Sequence, residues 1–167
     1  HNVESTHNAA EIARAVALAK AFPGIVKIIA VGNEAMVKWA ASYYVQPGVI
    51  LKWVNHLQGL KSSGELPKDL WITSSDNFAS WGGGGSEYHV EDLNQLIKAV
   101  DFISLHTYPM HDTHYNPVFW GVMTEEEDLP KEEQSRRVME RSLEYAKTQY
   151  AQVQQYVDSL GVSKPLH

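Results

Sequence analysis

Residues 28–40 read IIAVGNEAMVKWA, and this stretch decides how the fold is interpreted. It begins as an apolar, β-branched run and breaks at Gly32, after which Asn33 and Glu34 stand side by side. Because the run does not alternate cleanly between apolar and polar residues, it predicts a strand that is covered on both faces. A carboxylate directly after such a strand is costly unless the protein uses it, so Glu34 is the first candidate for a functional group.

Two further segments repeat this arrangement of an apolar run followed by a polar, aromatic cluster. Residues 70–75 precede SDNFASWGGGG, and residues 102–105 precede HTYPMHDTHYNPVFW. The connections that lead into the strands, such as FPG and SSGELPKD, are plain by comparison. Active sites of barrels of parallel strands and helices are built from the loops that follow the strands, so the three clusters predict one shared site.

Helices are predicted between these strands, because apolar residues recur at helical spacing over residues 8–22, 47–61, 90–100 and 131–160. KPLH, at residues 164–167, resembles the start of a further strand. The alternation predicts a parallel sheet with crossover helices, which fits both a barrel and a doubly wound sheet. The asymmetry of the loops favours the (β/α)8 TIM barrel, with residues 1–167 as a single domain.

Composition excludes several classes of function. The chain has a formal net charge of -6 and no cluster of Lys or Arg, which argues against nucleic-acid binding. It has no cysteine, so disulfides and thiolate chemistry are excluded. Its apolar runs are far shorter than the roughly 20 residues that span a bilayer, and GGGGS lacks the lysine of a phosphate loop, so neither membrane insertion nor a cofactor is expected. The first residues, HNVESTHN, show no signal peptide and no starting methionine, which suggests a chain that begins inside a longer gene product.

Glu34 is interpreted as a general acid and base in a partly desolvated cleft, with Asn33 beside it to bind a substrate hydroxyl. The alternative is a carboxylate that pairs with Lys38 or that is solvated in a loop. After the second strand, Asp76 and Asn77 offer polar recognition of sugar hydroxyls, and Trp81 offers an apolar face for a sugar ring. Helix capping and turn formation are the alternative use of these polar residues.

The third cluster contributes His106 and Tyr108, which are expected to point to the same face because they lie two positions apart at a strand end. We expect both to donate to a carboxylate in the cleft, and the alternative is a buried histidine beside a packing tyrosine. A zinc site is a rival interpretation of the imidazoles and carboxylate at His111, Asp112 and His114. No metal is predicted, because these residues lack a regular register and no HExxH pattern occurs.

The chain resembles glycoside hydrolase family 17, the retaining β-1,3-glucanases and related glucosyltransferases. The stretches IIAVGNEAMV, LWITSSDNFASW and VDFISLHTYP carry the resemblance, together with the NAAEIARAVALAK helix. The resemblance implies a partial TIM barrel, approximately its strands 4 to 7. It also implies that Glu34 is the acid/base, that Asn33 is the family's asparagine, and that Tyr108 contacts the nucleophile. That nucleophile, a glutamate, is expected a few residues beyond His167.

The expected function is therefore a retaining glycoside hydrolase that acts on a β-1,3-glucan oligosaccharide of the laminarin type. The tryptophans Trp39, Trp81 and Trp120 would serve as platforms for glucose units. We expect the 167-residue chain alone to be inactive and to need the rest of the barrel or a partner copy. The alternatives are a β-1,3-glucan transglycosylase, a non-catalytic carbohydrate-binding remnant and a histidine-metal hydrolase. The resemblance suggests a secreted, periplasmic or cell-surface location.

Overall fold

The computed structural model describes residues 6–167. Residues 1–5, where the sequence predicts no signal peptide, lie outside the described residues. Three parallel strands form one sheet in the order β1-β2-β3. The strands are β1 (Ile28–Asn33), β2 (Trp71–Asn77) and β3 (Ser104–His106). The α-helices are α1 (Thr6–Ala21), α2 (Pro47–Ser62), α3 (Glu91–Ala99), α4 (Pro109–Asp112) and α5 (Lys131–Ser159).

The prediction of a partial (β/α)8 barrel is wrong for the described residues, which form a small α/β domain around a three-stranded sheet. The predicted strand at 164–167 forms an isolated parallel bridge between Ile103 and Leu166, with backbone hydrogen bonds that join residues 165–167 to Ile103 and Leu105. The alternation of helices and strands does not distinguish the two architectures, because every parallel sheet needs crossover helices. Polar residues after the strands do not distinguish them either, since open α/β sheets also bind ligands at the carboxyl ends of their strands.

The sheet is held by an apolar core between its faces and the helices. Apolar side chains of α2, α3 and α5 are buried against those of the strands; they include Val54, Leu57, Leu93, Leu96, Ile97, Val153 and Val157. This packing fixes the positions of the carboxyl ends of all three strands, where the candidate site lies. Among residues 6–167, no helix combines the length and hydropathy that crossing a lipid bilayer requires.

An irregularity in β1 directs the chain toward Glu34. Ile28 to Ala30 pair in register with β2, and the register then shifts so that Asn33 lies opposite Ser75. Gly32 has a φ of 87°, a conformation that costs glycine little and other residues much more. Such an irregularity in a strand changes the direction in which the following side chains point, which here are those of Asn33 and Glu34.

Candidate active site

Glu34 follows β1 directly and has a strained backbone. Its φ is 46°, in the left-handed region that costs a residue with a Cβ roughly 1–2 kcal/mol. Its backbone N–H donates to the carbonyl of Ser75 on β2 at 2.8 Å, which holds the strained turn against the sheet. The side chain is 33% exposed, so the carboxyl group is partly withdrawn from water but still accessible. Strain of this kind concentrates at functional sites, where the surrounding structure maintains it.

The carboxyl group of Glu34 meets the side chains at the end of β3. Nδ1 of His106 lies 2.9 Å from Oε1 of Glu34, and the hydroxyl of Tyr108 lies 3.4 Å from the same imidazole nitrogen. The pKa of the Tyr108 hydroxyl is raised, first because it is hydrogen-bonded to Glu34, and further by burial and by the negative charges of Glu34 and Asp112. Lys38 donates to the carbonyl of Glu87, so the structure does not form the alternative pair of Lys38 with Glu34.

Asp76 supports the loop that carries Glu34. Its side chain is fully buried, and its two carboxylate oxygens accept hydrogen bonds from the backbone N–H groups of Met36 and Asn77, each at 2.8 Å. Burial is the main cause of the raised pKa of Asp76, and the charge of Glu34 acts in the same direction. The structure therefore places Asp76 beneath the site, where it stabilises backbone rather than facing a sugar hydroxyl.

Asn77 and Asp112 connect β2 to the loop after β3. The side-chain oxygen of Asn77 accepts from the backbone N–H of Ala79 at 3.0 Å, and its amide nitrogen donates to Asp112 at 3.3 Å. Asp112 also accepts from the backbone N–H of Tyr108 at 2.9 Å and from the buried side chain of Gln149 at 2.6 Å. Sequence reasoning missed Gln149, because nothing in the polar sequence of α5 distinguishes it from its exposed neighbours.

Two cavities that share lining residues lie at this end of the sheet, and we call them the first and the second chamber. The first chamber, of about 260 Å³, is lined by Glu34, Trp39, Asn77, Tyr108 and His111. The second chamber, of about 450 Å³, shares Trp39 and His111 with the first. The structure thus brings together four of the predicted site residues around the first chamber, with His106 behind Glu34.

Three other predicted site residues are not among those that line the two chambers. Trp81 is 0% exposed and donates from Nε1 to the carbonyl of Ser104 at 3.1 Å, so it packs in the core and has no free face for a sugar ring. Trp120 is partly buried after a 3₁₀ turn, Pro117–Phe119, and lines neither chamber. Asn33 is exposed at the end of β1.

The imidazoles and carboxylates of this region do not form a metal centre. Within residues 6–167, no group of three or more His, Asp or Glu side chains is arranged to hold a metal ion. His111 lies on α4, and His114 follows it in a turn. The described residues therefore give no support to a zinc hydrolase.

Comparisons with known proteins give one strong similarity. No family model matches the chain, and no curated protein matches it. Among solved structures, the chain is similar to an endo-laminarinase from Formosa Hel1_33_131, with 66% sequence identity and a TM-score of 0.93. The alignment covers 100% of this chain and 42% of that protein, so the chain spans less than half the length of its structural neighbour.

Proposed function

We propose that this chain is part of a retaining glycoside hydrolase that cleaves β-1,3-glucan of the laminarin type, with Glu34 as its general acid and base. The observation that carries the proposal is a strained, partly exposed carboxylate at the mouth of a cavity, in contact with His106 and Tyr108. The similarity to an endo-laminarinase supports the choice of substrate. We also propose membership of glycoside hydrolase family 17, on the resemblance of residues 28–37, 70–81 and 100–109.

Glu34 would act twice in this reaction. In its protonated form it donates to the glycosidic oxygen as that bond breaks, and the resulting carboxylate then removes a proton from the attacking water. His106 and Tyr108 orient the carboxyl group through their contacts with it. Trp39, with 58% of its surface exposed beside Glu34, would pack against a glucose ring, and Asn33 would bind a hydroxyl.

The second carboxylate of a retaining mechanism must lie about 5 to 5.5 Å from the first. Asp76 and Asp112 are the nearby candidates, but the oxygens of both already accept hydrogen bonds from the protein. A nucleophile needs a free oxygen directed at the sugar, which neither residue offers. We therefore propose that the nucleophile comes from outside residues 6–167 and that this single domain functions within a larger catalytic unit.

The test is laminarin hydrolysis by the full-length protein, measured as new reducing ends. Glu34→Gln removes the transferable proton and should lower kcat on the order of 10²–10⁴-fold. Glu65→Gln is the matched control, because Glu65 is an exposed glutamate that contacts Lys20 and lines neither chamber, and it should leave kcat unchanged. Undiminished turnover by the Glu34→Gln enzyme would refute the proposal.

The proposal also concerns the isolated 167-residue chain. Because residues 6–167 place no second free carboxylate beside Glu34, this chain should release no more reducing ends from laminarin than its own Glu34→Gln variant. Turnover comparable to that of the full-length protein would show that the described residues supply both carboxylates. A circular dichroism spectrum with the expected helical content would confirm that the chain under test is folded.

A further inference from the structure

Gln149 is a buried polar residue on the apolar face of α5. It precedes Val153 and Val157 at helical spacing, so the three side chains share one face of the helix. All three are buried, and Gln149 is only 1% exposed. An apolar side chain is the usual occupant of such a position, because a buried amide costs free energy wherever its hydrogen bonds are incomplete.

The hydrogen bonding of the Gln149 amide is one-sided. Its Nε2 donates to Oδ2 of Asp112 at 2.6 Å, whereas Oε1 is buried and accepts a hydrogen bond from no group within residues 6–167. The amide cannot be reversed, because its oxygen would then face a carboxylate oxygen and neither group could donate. Gln149 therefore makes one hydrogen bond at the cost of an unsatisfied oxygen, which indicates that this bond serves something other than stability.

The same oxygen of Asp112 holds the backbone of Tyr108. Oδ2 also accepts from the backbone N–H of Tyr108 at 2.9 Å, and the backbone N–H of Asp112 donates to the carbonyl of Tyr108 at 2.7 Å. Tyr108 is 45% exposed, so packing restrains its side chain little and its position depends on its backbone. Its hydroxyl is hydrogen-bonded to Glu34. A chain of contacts thus runs from the core face of α5 through Asp112 and Tyr108 to Glu34.

We propose that Gln149 is a positioning residue that fixes Asp112 and, through Asp112, the hydroxyl of Tyr108 against Glu34. The inference rests on the proposed function, in which Glu34 is the general acid and base. Gln149 lines neither chamber, so it acts on the reaction only through other residues. Without its amide, the only side chain that still donates to Asp112 is that of Asn77, at 3.3 Å. Asp112 and the backbone of Tyr108 can then move together, and the hydroxyl no longer holds Glu34 in one orientation.

The experiment measures laminarin hydrolysis by the full-length protein with the substitution Gln149→Met. Methionine is close to glutamine in length and helix propensity and suits an apolar core, so α5 should fold. The variant lacks the donor to Asp112, and its kcat should fall about tenfold. The loss is smaller than the roughly 10²-fold that a shift of about 1 Å can cost, because Tyr108 keeps its own bonds to Asp112.

Gln134→Met is the matched control on the same helix. Gln134 is also buried, but its Nε2 donates to the backbone carbonyls of Glu127 and Leu129, at 2.8 and 2.9 Å, and it lines neither chamber. Gln134→Met should therefore lose stability in urea titrations and keep the wild-type kcat. The pair of variants separates a loss of activity from a loss of stability in α5.

A double-mutant cycle with Tyr108→Phe tests whether Gln149 acts through Tyr108. Tyr108→Phe removes the hydroxyl and should itself lower kcat, because that hydroxyl contacts Glu34. If Gln149 acts through the hydroxyl, Gln149→Met should cost almost nothing further in the Tyr108→Phe protein, whereas independent losses would multiply. Gln149→Leu, a second apolar variant that also lacks the donor, should give the same pattern.

The outcomes distinguish this inference from the proposed function. A wild-type kcat in Gln149→Met or in Tyr108→Phe would overturn the inference alone, as would a loss of the same size with and without the Tyr108 hydroxyl. Undiminished turnover by Glu34→Gln in the same assay would overturn the proposed function and this inference with it.

Discussion

The acidic residues at the two ends of the sheet have different partners. At the amino end, Asp101 accepts hydrogen bonds from Nζ of Lys61 at 2.8 Å and from the backbone N–H of Ile72 at 2.7 Å. At the carboxyl end, Glu34 contacts an imidazole and a phenol, and one side of it faces the first chamber. An acid whose charge is fixed by a lysine serves stability, whereas an acid with ionisable partners and an open side can exchange protons.

The pKa values show the same contrast. Burial raises the pKa of Asp101, but the hydrogen bonds from Lys61 and Ile72 outweigh burial, and the pKa is lowered overall. The pKa of Asp76, beneath Glu34, is raised because burial outweighs its hydrogen bonds from backbone N–H groups. The charged form is thus favoured at the amino end of the sheet and disfavoured beneath the candidate site.

The largest effect is expected from removing the buried acid beneath the site. Asp76→Ala leaves the backbone N–H groups of Met36 and Asn77 buried without an acceptor. Each unsatisfied group costs about 1–3 kcal/mol, so the free energy of unfolding should fall by about 2–6 kcal/mol in urea titrations. Asp76→Asn keeps one acceptor oxygen and should lose less. Asp69→Ala, at an exposed aspartate near the other end of the sheet, is the control, and a loss in Asp76→Ala no larger than in this control would contradict the prediction.

A second prediction concerns the strand irregularity that directs Glu34. In Gly32→Ala, the new Cβ would lie 3.1 Å from Cδ1 of Ile50 and 3.2 Å from Cβ of Ala35, at a φ of 87°. The left-handed backbone should cost about 1–2 kcal/mol of unfolding free energy. Because relief of the contact displaces Glu34, kcat on laminarin should also fall, by as much as about 10²-fold for a shift near 1 Å.

Gly64→Ala separates these two effects. Gly64 also has a left-handed φ, of 83°, but a Cβ there meets nothing within 4 Å, and the residue lies at the end of α2 away from the site. The Gly64→Ala variant should lose about as much unfolding free energy as Gly32→Ala, and its kcat on laminarin should stay at the wild-type value. Equal losses of kcat in the two variants would mean that the position of Glu34 does not depend on the irregularity.

The sequence contained enough information to select Glu34, His106 and Tyr108, because an ionisable group at the end of an apolar strand is costly and the residues two apart on a strand share a face. The sequence did not show that the backbone of Glu34 is strained. Gly32 inside the strand pattern was nevertheless a signal of an irregularity in β1 just before Glu34. Hydrophobic pattern located α2 because that helix buries an apolar stripe of Ile50, Val54 and Leu57. α5 buries apolar side chains only near its end, at Val153 and Val157, and its other buried residues are glutamines.

Contacts between residues far apart in the chain determine the burial of Trp81 and Glu126, which the sequence did not reveal. Trp81 follows a polar strand end, as an exposed platform would, yet its fold context buries it against β3. The acidic run EEED at residues 125–128 has the composition of a solvated turn, but Glu126 is buried and bound by Arg141, whose hydrogen bonds lower the pKa of Glu126 to about 2. Both contacts join residues more than ten positions apart, beyond the range of local patterns.

The smallest effect is expected at the amino end of the sheet, where Asp101→Asn keeps an acceptor for Ile72 but loses the charge that binds Lys61. The loss should be about 1 kcal/mol at pH 7, since a hydrogen bond to a charged group is modest where solvent reaches it. The lowered pKa of Asp101 means that its contribution is present above its ordinary value of 3.8 and is lost as the pH falls through the lower folded value. Urea titrations of the wild-type protein and of Asp101→Asn should therefore give different free energies of unfolding at pH 7 and the same free energy in acid.

The contribution of Asp76 depends on pH in the opposite direction. Because the pKa of Asp76 is raised, its contribution to stability is lost as the pH rises through the folded value. If the wild-type protein stays more stable than Asp101→Asn by the same amount at low pH, the charge of Asp101 does not stabilise this end of the sheet through Lys61. The contrast between the two ends of the sheet would then depend only on the residues around Glu34.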